Sequence, residues 1–276
     1  MKFVSWNLKY PGRDSARSRV NRVMHLEWDV LALQEVSRWA VSALRLAEVA
    51  NDYAFGLDYV DSGNRRKHGA ALLTRGAFQI ESVQPMEGIP KLERGLSAVI
   101  AATEFSIPVT AISWHAPNAA GEGVGIKMHG YRGLVEHLGT LEGPTVLGFD
   151  SNHWNRSIDL EPPPPTNAQS DRWYLENLFF SKTPPHALRD AYLDYLWQNP
   201  REYTAIISES PEGPLATTYI RGSRNRPVRD RFDYIFVSKH LAIERCWHEY
   251  DESVEAGSDH ASVHAQLSII SERTSY

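Results

Sequence analysis

Residues 29–35 read DVLALQE, a short apolar run that ends on a polar pair. Such a run suits a central strand buried on both faces, with its C-terminal tip exposed. Residues 3–8, FVSWNL, have the same form: alternating apolar residues, then Asn7. Between the two, Asp14 or Ser15 can cap a helix that buries Val20, Val23, Met24 and Leu26. A second helix is expected over residues 37–50. Strand, helix, strand, helix implies a parallel pairing at the start of the chain.

Further along, residues 68–74, 78–83, 96–103 and 109–114 read as strands parted by Gly and Pro turns, together a meander. A helix over 127–141 and a strand over 145–149 follow. Four prolines at 162–165 mark a loop, since proline suits neither a helix interior nor a strand. Helices are expected near 171–180 and 186–198, and strands over 232–237, 243–250 and 261–267. Mixed strands with helices outside them predict an α/β (α+β) class: two sheets packed face to face, flanked by helices on both sides. The expected organisation is one domain over residues 1–270, a variable insertion around 155–228 and a tail at 271–276. No fixed short repeat interrupts it.

The 276 residues fit one large α/β domain. A net charge of −5 argues against nucleic-acid binding by bulk charge, which leaves the task to local basic clusters. These are Arg13, Arg17, Arg19 and Arg22; Arg65, Arg66 and Lys67; and Arg221, Arg224, Arg226, Arg229 and Arg231. The single cysteine, Cys246, excludes an internal disulfide and a thiolate metal cage. The N-terminus lacks the apolar core of a secretory signal, and no apolar run nears the roughly 20 residues that span a bilayer, so a cytoplasmic address is expected.

Polar residues recur where strands end: Asn7, Glu35, His115, Asp150 and Asn152. Singly, an Asn or Asp after a strand is usually a turn residue. Gathered at one sheet edge, the five would form a site.

The segments FVSWNL, LALQEV, SWHAPN, GFDSN, DRFDYIFVS and GSDHASV, in this order over residues 3–263, resemble the motifs of the endonuclease/exonuclease/phosphatase superfamily. The resemblance implies a four-layer αββα sandwich and hydrolysis of a phosphate ester with Mg²⁺, for which Mn²⁺ can substitute. It implies that Glu35, Asn7 and Asp259 serve the metal. Asp150 would orient or deprotonate the attacking water, and Asn152 would donate to phosphoryl oxygens. His260 would contact the scissile phosphate, held by Asp233. His115 resembles a phosphate-contacting or acid–base histidine of the deoxyribonuclease branch. Lys9 departs from relatives that carry Asp or another polar group there. A protonated lysine cannot bind a metal, so one ion is expected rather than two, and Lys9 could meet a phosphate instead. Gly148-Phe149-Asp150-Ser151-Asn152 also alters the usual Gly-Asp-Phe-Asn order while keeping Asp-x-Asn. Arg94, Trp154, Arg229 and Arg231 complete the expected substrate contacts, with His153 able to stack beside Trp154.

Three functions compete. A nuclease acting on DNA or RNA is first, because basic loops flank the motifs and the run RGSRNRPVRDR leads into Asp233. A phosphatase or a phospholipid phosphodiesterase would use the same residues. A binding protein that kept only the fold would be expected to have lost some of them.

Overall fold

The computed structural model describes residues 1–60, 68–103, 105, 107–153, 178–181, 184–223 and 225–270. Trp154, Arg65, Arg66, Lys67, Arg224, the proline run, most of the helix expected at 171–180, and the tail lie outside these residues.

The opening strands form as expected. β1 (Lys2–Asn7) and β2 (Val30–Ser37) pair in parallel, with Asn7 opposite Gln34. Helix α1 (Arg13–His25) joins them. Helix α2 (Arg38–Leu46) follows β2, and the Ser37 hydroxyl caps it by accepting the Ala40 amide. β3 (Asp52–Phe55), β4 (His68–Thr74), β13 (Leu241–Glu249) and β14 (Ser262–Ile269) complete a six-stranded sheet in the order β13-β14-β1-β2-β4-β3.

The second six-stranded sheet contains β5 (Phe78–Pro85), β6 (Gly95–Ala102), β7 (Val109–His115), β8 (Thr145–Asp150), β9 (Leu188–Asp190) and β12 (Asp233–Ser238). Its order is β5-β6-β7-β8-β12-β9. A separate hairpin, β10 (Tyr219–Ser223) and β11 (Arg226–Asp230), precedes β12. Helices α3 (Ala119–Glu122) and α4 (Val124–Gly139) link β7 to β8. Helices α5 (Ala191–Gln198) and α6 (Pro200–Glu209) follow β9, and α7 (Asp251–Glu255) lies between β13 and β14.

Two-residue alternation sorts the apolar side chains into layers. In β1 and β2, Val4, Trp6, Leu31 and Leu33 face outward and pack under α1 and α2 with Val20, Val23, Val41 and Leu44. Phe3, Val30 and Ala32 face the other way and meet Ala111, Val146, Ile235 and Val237 of the second sheet. On that sheet's outer face, Ile112, Trp114, Leu147 and Phe149 pack against Tyr131 and Leu134 of α4. Three apolar interfaces therefore separate four layers, which is the αββα sandwich. The sheets approach closely at Gly148, where a Cβ would lie 2.8 Å from the Ser5 side chain. Gln34 bridges the gap by donating to Ser113 Oγ and the Gly148 carbonyl.

Three expectations change. Residues 68–74 leave the meander and join the first sheet, antiparallel to β2, because the chain crosses over at Gly76, which adopts φ +67°. The helix expected over 186–198 begins only at Ala191. Leu188–Asp190 pair with β12, and Asp190 Oδ1 caps α5 by accepting the Tyr192 and Leu193 amides. The hairpin β10–β11 and helix α6 had not been expected. No helix among the described residues is long and apolar enough to cross a membrane.

Candidate active site

The same alternation that builds the core delivers the site. In β1, β7 and β8 the inward positions run Phe3-Ser5-Asn7, Ala111-Ser113-His115 and Val146-Gly148-Asp150. Each begins apolar inside the sandwich and turns polar at one edge. Parallel pairing sets His115 opposite Asp150, and antiparallel pairing sets Asp233 opposite Asp150. β14 runs against β1 with Ser262 opposite Trp6, so His260 arrives just beyond the end of β1. Ser258 fixes this junction: its hydroxyl donates to the Asn7 carbonyl at 2.6 Å and accepts the His260 amide at 3.1 Å.

The backbone is strained here. Among the described residues, five non-glycine residues have positive φ, and four of them are Lys9, Tyr10, Glu35 and Asn152. Such conformations persist only where surrounding structure enforces them, and they gather at functional sites. Glu35 sits at φ +52° in a break of the β2–β4 register between Leu33 and Val36. A bulge of this kind re-aims a side chain, and Glu35 comes to line the cleft.

Asp150 occupies the centre and is 1% exposed. Its Oδ1 accepts the Asn152 amide and its Oδ2 accepts the Asn7 side-chain amide, both at 2.8 Å. Burial raises its pKa to about 6; the nearby Asp233 adds to this, while His260 and the two hydrogen bonds oppose it. His260 Nδ1 donates to both oxygens of Asp233, at 2.9 and 3.1 Å. Its Nε2 faces Asp150 and Asp259, each at 3.9 Å. Burial alone would discharge the ring, but Asp233 and Asp150 overcome it and raise His260 to about 10. His260 is therefore an imidazolium at neutral pH.

His115 is a neutral counterpart. Burial, then the charges of Arg94, His68 and His260, hold it well below 6.5. Its Nε2 accepts from the Asn152 side-chain amide at 2.9 Å and lies 3.5 Å from both Glu35 and Asp150. The Asn152 amide also donates to the Ala116 carbonyl at 2.9 Å. Both of its hydrogens are thus engaged within the protein, where a phosphate contact had been expected. Asn7 is engaged likewise, because its carbonyl oxygen accepts the Lys9 amide at 2.8 Å. Its amide positions Asp150, and the Lys9 bond uses one of the two lone pairs of its side-chain oxygen.

The cleft has a volume of about 540 Å³ and is lined by Lys9, Glu35, Lys127, Asp150, Asn152, Tyr219, Arg221, Phe232, Asp259 and His260, among others. Lys9 Nζ pairs with Asp259 at 3.0 Å. Lys127, Tyr219 and Phe232 of this lining had no expected role, and Arg221 had been named only within a basic cluster. Lys127 reaches in from α4 and donates to the Asn152 carbonyl; burial lowers it to about 8. Tyr219 stacks on Phe232 at 4.9 Å, and its ring centre is 4.8 Å from that of His260. Arg221 pairs with Asp230 at 2.6 Å. Their signal was weak because the hairpin that carries Tyr219 and Arg221 had no apolar alternation to announce it.

The remaining expected contacts fall elsewhere. Arg231 is a correction: its side chain is fully buried, forks onto Asp190 with two 2.8 Å bonds, and lies over Tyr192 and Tyr234. Its hydrogen bonds hold α5 to β12 and leave it no reach to a substrate. Arg229 is exposed on the hairpin and does not line the cleft. Arg94 is buried and forks onto Glu122 at 2.9 and 3.1 Å, acting on Glu35 and His115 through its charge.

The donor set fits a divalent cation. Glu35, Asp150 and Asp259 converge on one cleft, and among the described residues no hydrogen bond reaches the Glu35 carboxylate. Burial and then Asp150 raise Glu35, the effect of packing anions with too few cations. Among the described residues two groups of potential ligands occur, Asp150-Asp233-His260 and Glu35-His68-His115, each with ligand atoms within 4.8 Å of one another.

Solved structures share this architecture. The catalytic domain of Xenopus laevis APE2 aligns with a TM-score of 0.68 at 17% identity, covering 99% of this chain and 94% of that one. An endonuclease/exonuclease/phosphatase from Bacteroides vulgatus aligns at 0.66 and 14%, covering 98% of each. D. rerio TDP2 complexed with single strand DNA product aligns at 0.62 and 13%, covering 97% and 98%. No curated protein matches the sequence. The Endonuclease/Exonuclease/phosphatase family model matches residues 4–260, a span that runs from β1 to His260 and takes in every strand end that forms the cleft. The chain belongs to that family, whose members are metal-dependent and usually hydrolyse phosphodiesters or phosphate esters.

Proposed function

We propose that the cleft hydrolyses phosphodiester bonds of nucleic acid, DNA or RNA, as a nuclease dependent on Mg²⁺ or Mn²⁺. The observation that carries this reading is the pairing of Asp150 with His260. One is a buried carboxylate whose raised basicity suits a general base near pH 7. The other is an imidazolium 3.9 Å away that suits a developing phosphoryl charge.

Asp150 takes the proton of the attacking water, held in place by Asn7 and the Asn152 amide. The water oxygen bonds to phosphorus while the opposite P–O bond breaks, and its electron pair leaves on the alkoxide oxygen, which takes a proton from solvent water. His260 presents Nε2–H to the phosphoryl oxygens, and Asp233 maintains its charge. Asn152 orients the neutral His115 beside them. Glu35 and Asp259 would hold a divalent ion, which supplies Lewis-acid charge to the phosphoryl group. One ion is the simpler fit, because Lys9, whose ammonium cannot bind a metal, sits beside Asp259 where a second ion would need a ligand.

Substrate class is inferred from the rim. Lys9, Lys127 and Arg221 stand beside the acidic centre of the cleft, in a chain of net charge −5, where backbone phosphates would lie. The stacked Tyr219 and Phe232 offer a flat face for a base. The DNA product held by D. rerio TDP2 is in keeping with this choice.

A panel of supercoiled plasmid, linear and abasic duplex, single-stranded DNA, RNA, inositol phosphates and sphingomyelin tests the reading with Mg²⁺ or Mn²⁺, using Asp150→Asn as control. Cleavage of a nucleic acid that EDTA abolishes is expected. Turnover confined to inositol phosphates or lipid, or indifferent to EDTA, would refute it.

A further inference from the structure

Glu35, His68 and His115 lie together beside Asp150, and each histidine keeps one ring nitrogen that no hydrogen bond accounts for. One ring nitrogen of each and a Glu35 oxygen lie within 4.8 Å of one another. His115 is 3% exposed, and its Nδ1 is buried with no hydrogen-bond partner. His68 Nε2 is likewise buried and unpartnered. A buried imidazole nitrogen without a partner is a cost that native folds seldom retain without a ligand to explain it.

The three side chains are held by independent features of the fold. The irregularity in β2 turns Glu35 inward at φ +52°. His68 opens β4, and its neighbour Gly69 is pinned beneath the Glu93 carbonyl, where a Cβ would lie only 2.5 Å away. Tyr10 leans on the His68 ring at 5.2 Å, and the His68 and His115 rings are 5.9 Å apart. His115 ends β7 and is held through Nε2 by Asn152.

We propose that these residues form a two-histidine, one-carboxylate site for a divalent transition ion of the Mn²⁺, Co²⁺ or Zn²⁺ class. This rests on reading the cleft as a metal-dependent centre and names the kind of ion that Glu35 holds there. Imidazole nitrogen suits such ions, whereas Mg²⁺ prefers oxygen and keeps its waters. Ligands around an ion with bonds near 2.1 Å sit about 3 Å apart, so the group must tighten on loading. Glu35, 24% exposed, has room to turn inward. His115 supplies its lone pair either by releasing the Asn152 amide from Nε2 or through Nδ1.

The test reads binding, without substrate. The full chain is titrated with Co²⁺ in metal-free buffer and followed by the visible d–d absorption. Wild type is expected to bind one ion, with a band that excess Mg²⁺ does not remove. His68→Ala and His115→Ala should weaken binding by about tenfold or more, and His260→Ala should leave it unchanged. His68→Gln keeps a polar side chain of similar bulk and should weaken binding as His68→Ala does, which separates loss of the ligand from loss of the fold. Equal affinity in wild type and folded His68→Gln overturns the proposal, as does a band lost only in His260→Ala. Nuclease activity with Mg²⁺ but no Co²⁺ band sinks this site and leaves the proposed function standing. Cobalt binding without nucleic-acid cleavage does the reverse.

Discussion

Replacing Asp150 with Asn should separate activity from stability. The substitution removes the proposed base while keeping its shape, and general-base catalysis contributes about 10²–10⁴-fold to rate. The stability side follows from the surroundings. Raising Asp150 from its usual 3.8 to about 6 means that the ionised form costs the fold about 3 kcal/mol. For a carboxylate raised in this way, stability is full below pH 3.8 and is lost as pH climbs through about 6. An amide avoids that loss at pH 7. Yet one side of the amide is an NH₂, and both partners of the native carboxylate, the Asn7 side-chain amide and the Asn152 backbone amide, are donors. One donor then faces another, at about 1–3 kcal/mol. The two effects nearly cancel. The variant should melt within a few degrees of wild type at pH 7, gain nothing at pH 4, and cleave a labelled oligonucleotide at least a hundredfold more slowly. Wild-type kcat should rise with pH through about 6, and the variant's residual rate should be flat. A variant within tenfold of wild type, or one that still shows the rise near 6, would refute the assignment of the base.

Asp233→Asn removes the largest charge that lifts His260, so the alkaline fall in kcat, expected near 10 in wild type, should move into the neutral range; a pH–rate profile reads it. Lys127 loses its charge as pH rises through about 8, so KM for an oligonucleotide should climb there in wild type and stay level in Lys127→Met. Gly148→Ala forces a Cβ to 2.8 Å from Ser5 and 2.9 Å from Phe3 between the sheets. It should cost about 1–3 kcal/mol, seen as a lowered Tm. Arg231→Met breaks the Asp190 fork and should lower Tm while leaving the KM of any protein that still folds near wild type, since the side chain does not reach the cleft.

Much of the sandwich could be read from alternation. FVSWN and VLALQE show strands with one apolar set per face, and the structure distributes those sets to two different interfaces. The ends of β1, β7 and β8 were legible as polar, but that their side chains face inward depends on which face meets the second sheet. The sequence of β4, HGAALLT, is apolar enough for either sheet, so only its pairing with β2 decides its place. The misread start of α5 arose because His186, Ala187 and Leu188 fit a helix pattern, while Asp190 was the cap that should have set the boundary. Arg231 shows the limit most clearly. It closes a run that also holds Arg221, Arg226 and Arg229, and its partner, Asp190, is 41 residues away. Charge runs reveal where cations are dense and say nothing of which one the fold will bury.

The hairpin of β10 and β11 forms its own two-stranded sheet, bridged to His260 through Tyr219, and both its ends are fastened at a single residue. Thr218 Oγ1 accepts the Phe232 and Asp233 amides, and the Thr218 amide donates to the Asp230 carbonyl. Residues 220–229 can therefore be exchanged as a cassette, with Tyr219, Asp230 and Arg231 kept. Grafting a different segment over residues 220–229 would replace Arg221 at the rim while keeping Tyr219 against His260, the buried Arg231–Asp190 fork and the register that sets Asp233 opposite Asp150. Substrate preference in this fold can then diversify by swapping one short segment while the machinery beneath it stays fixed.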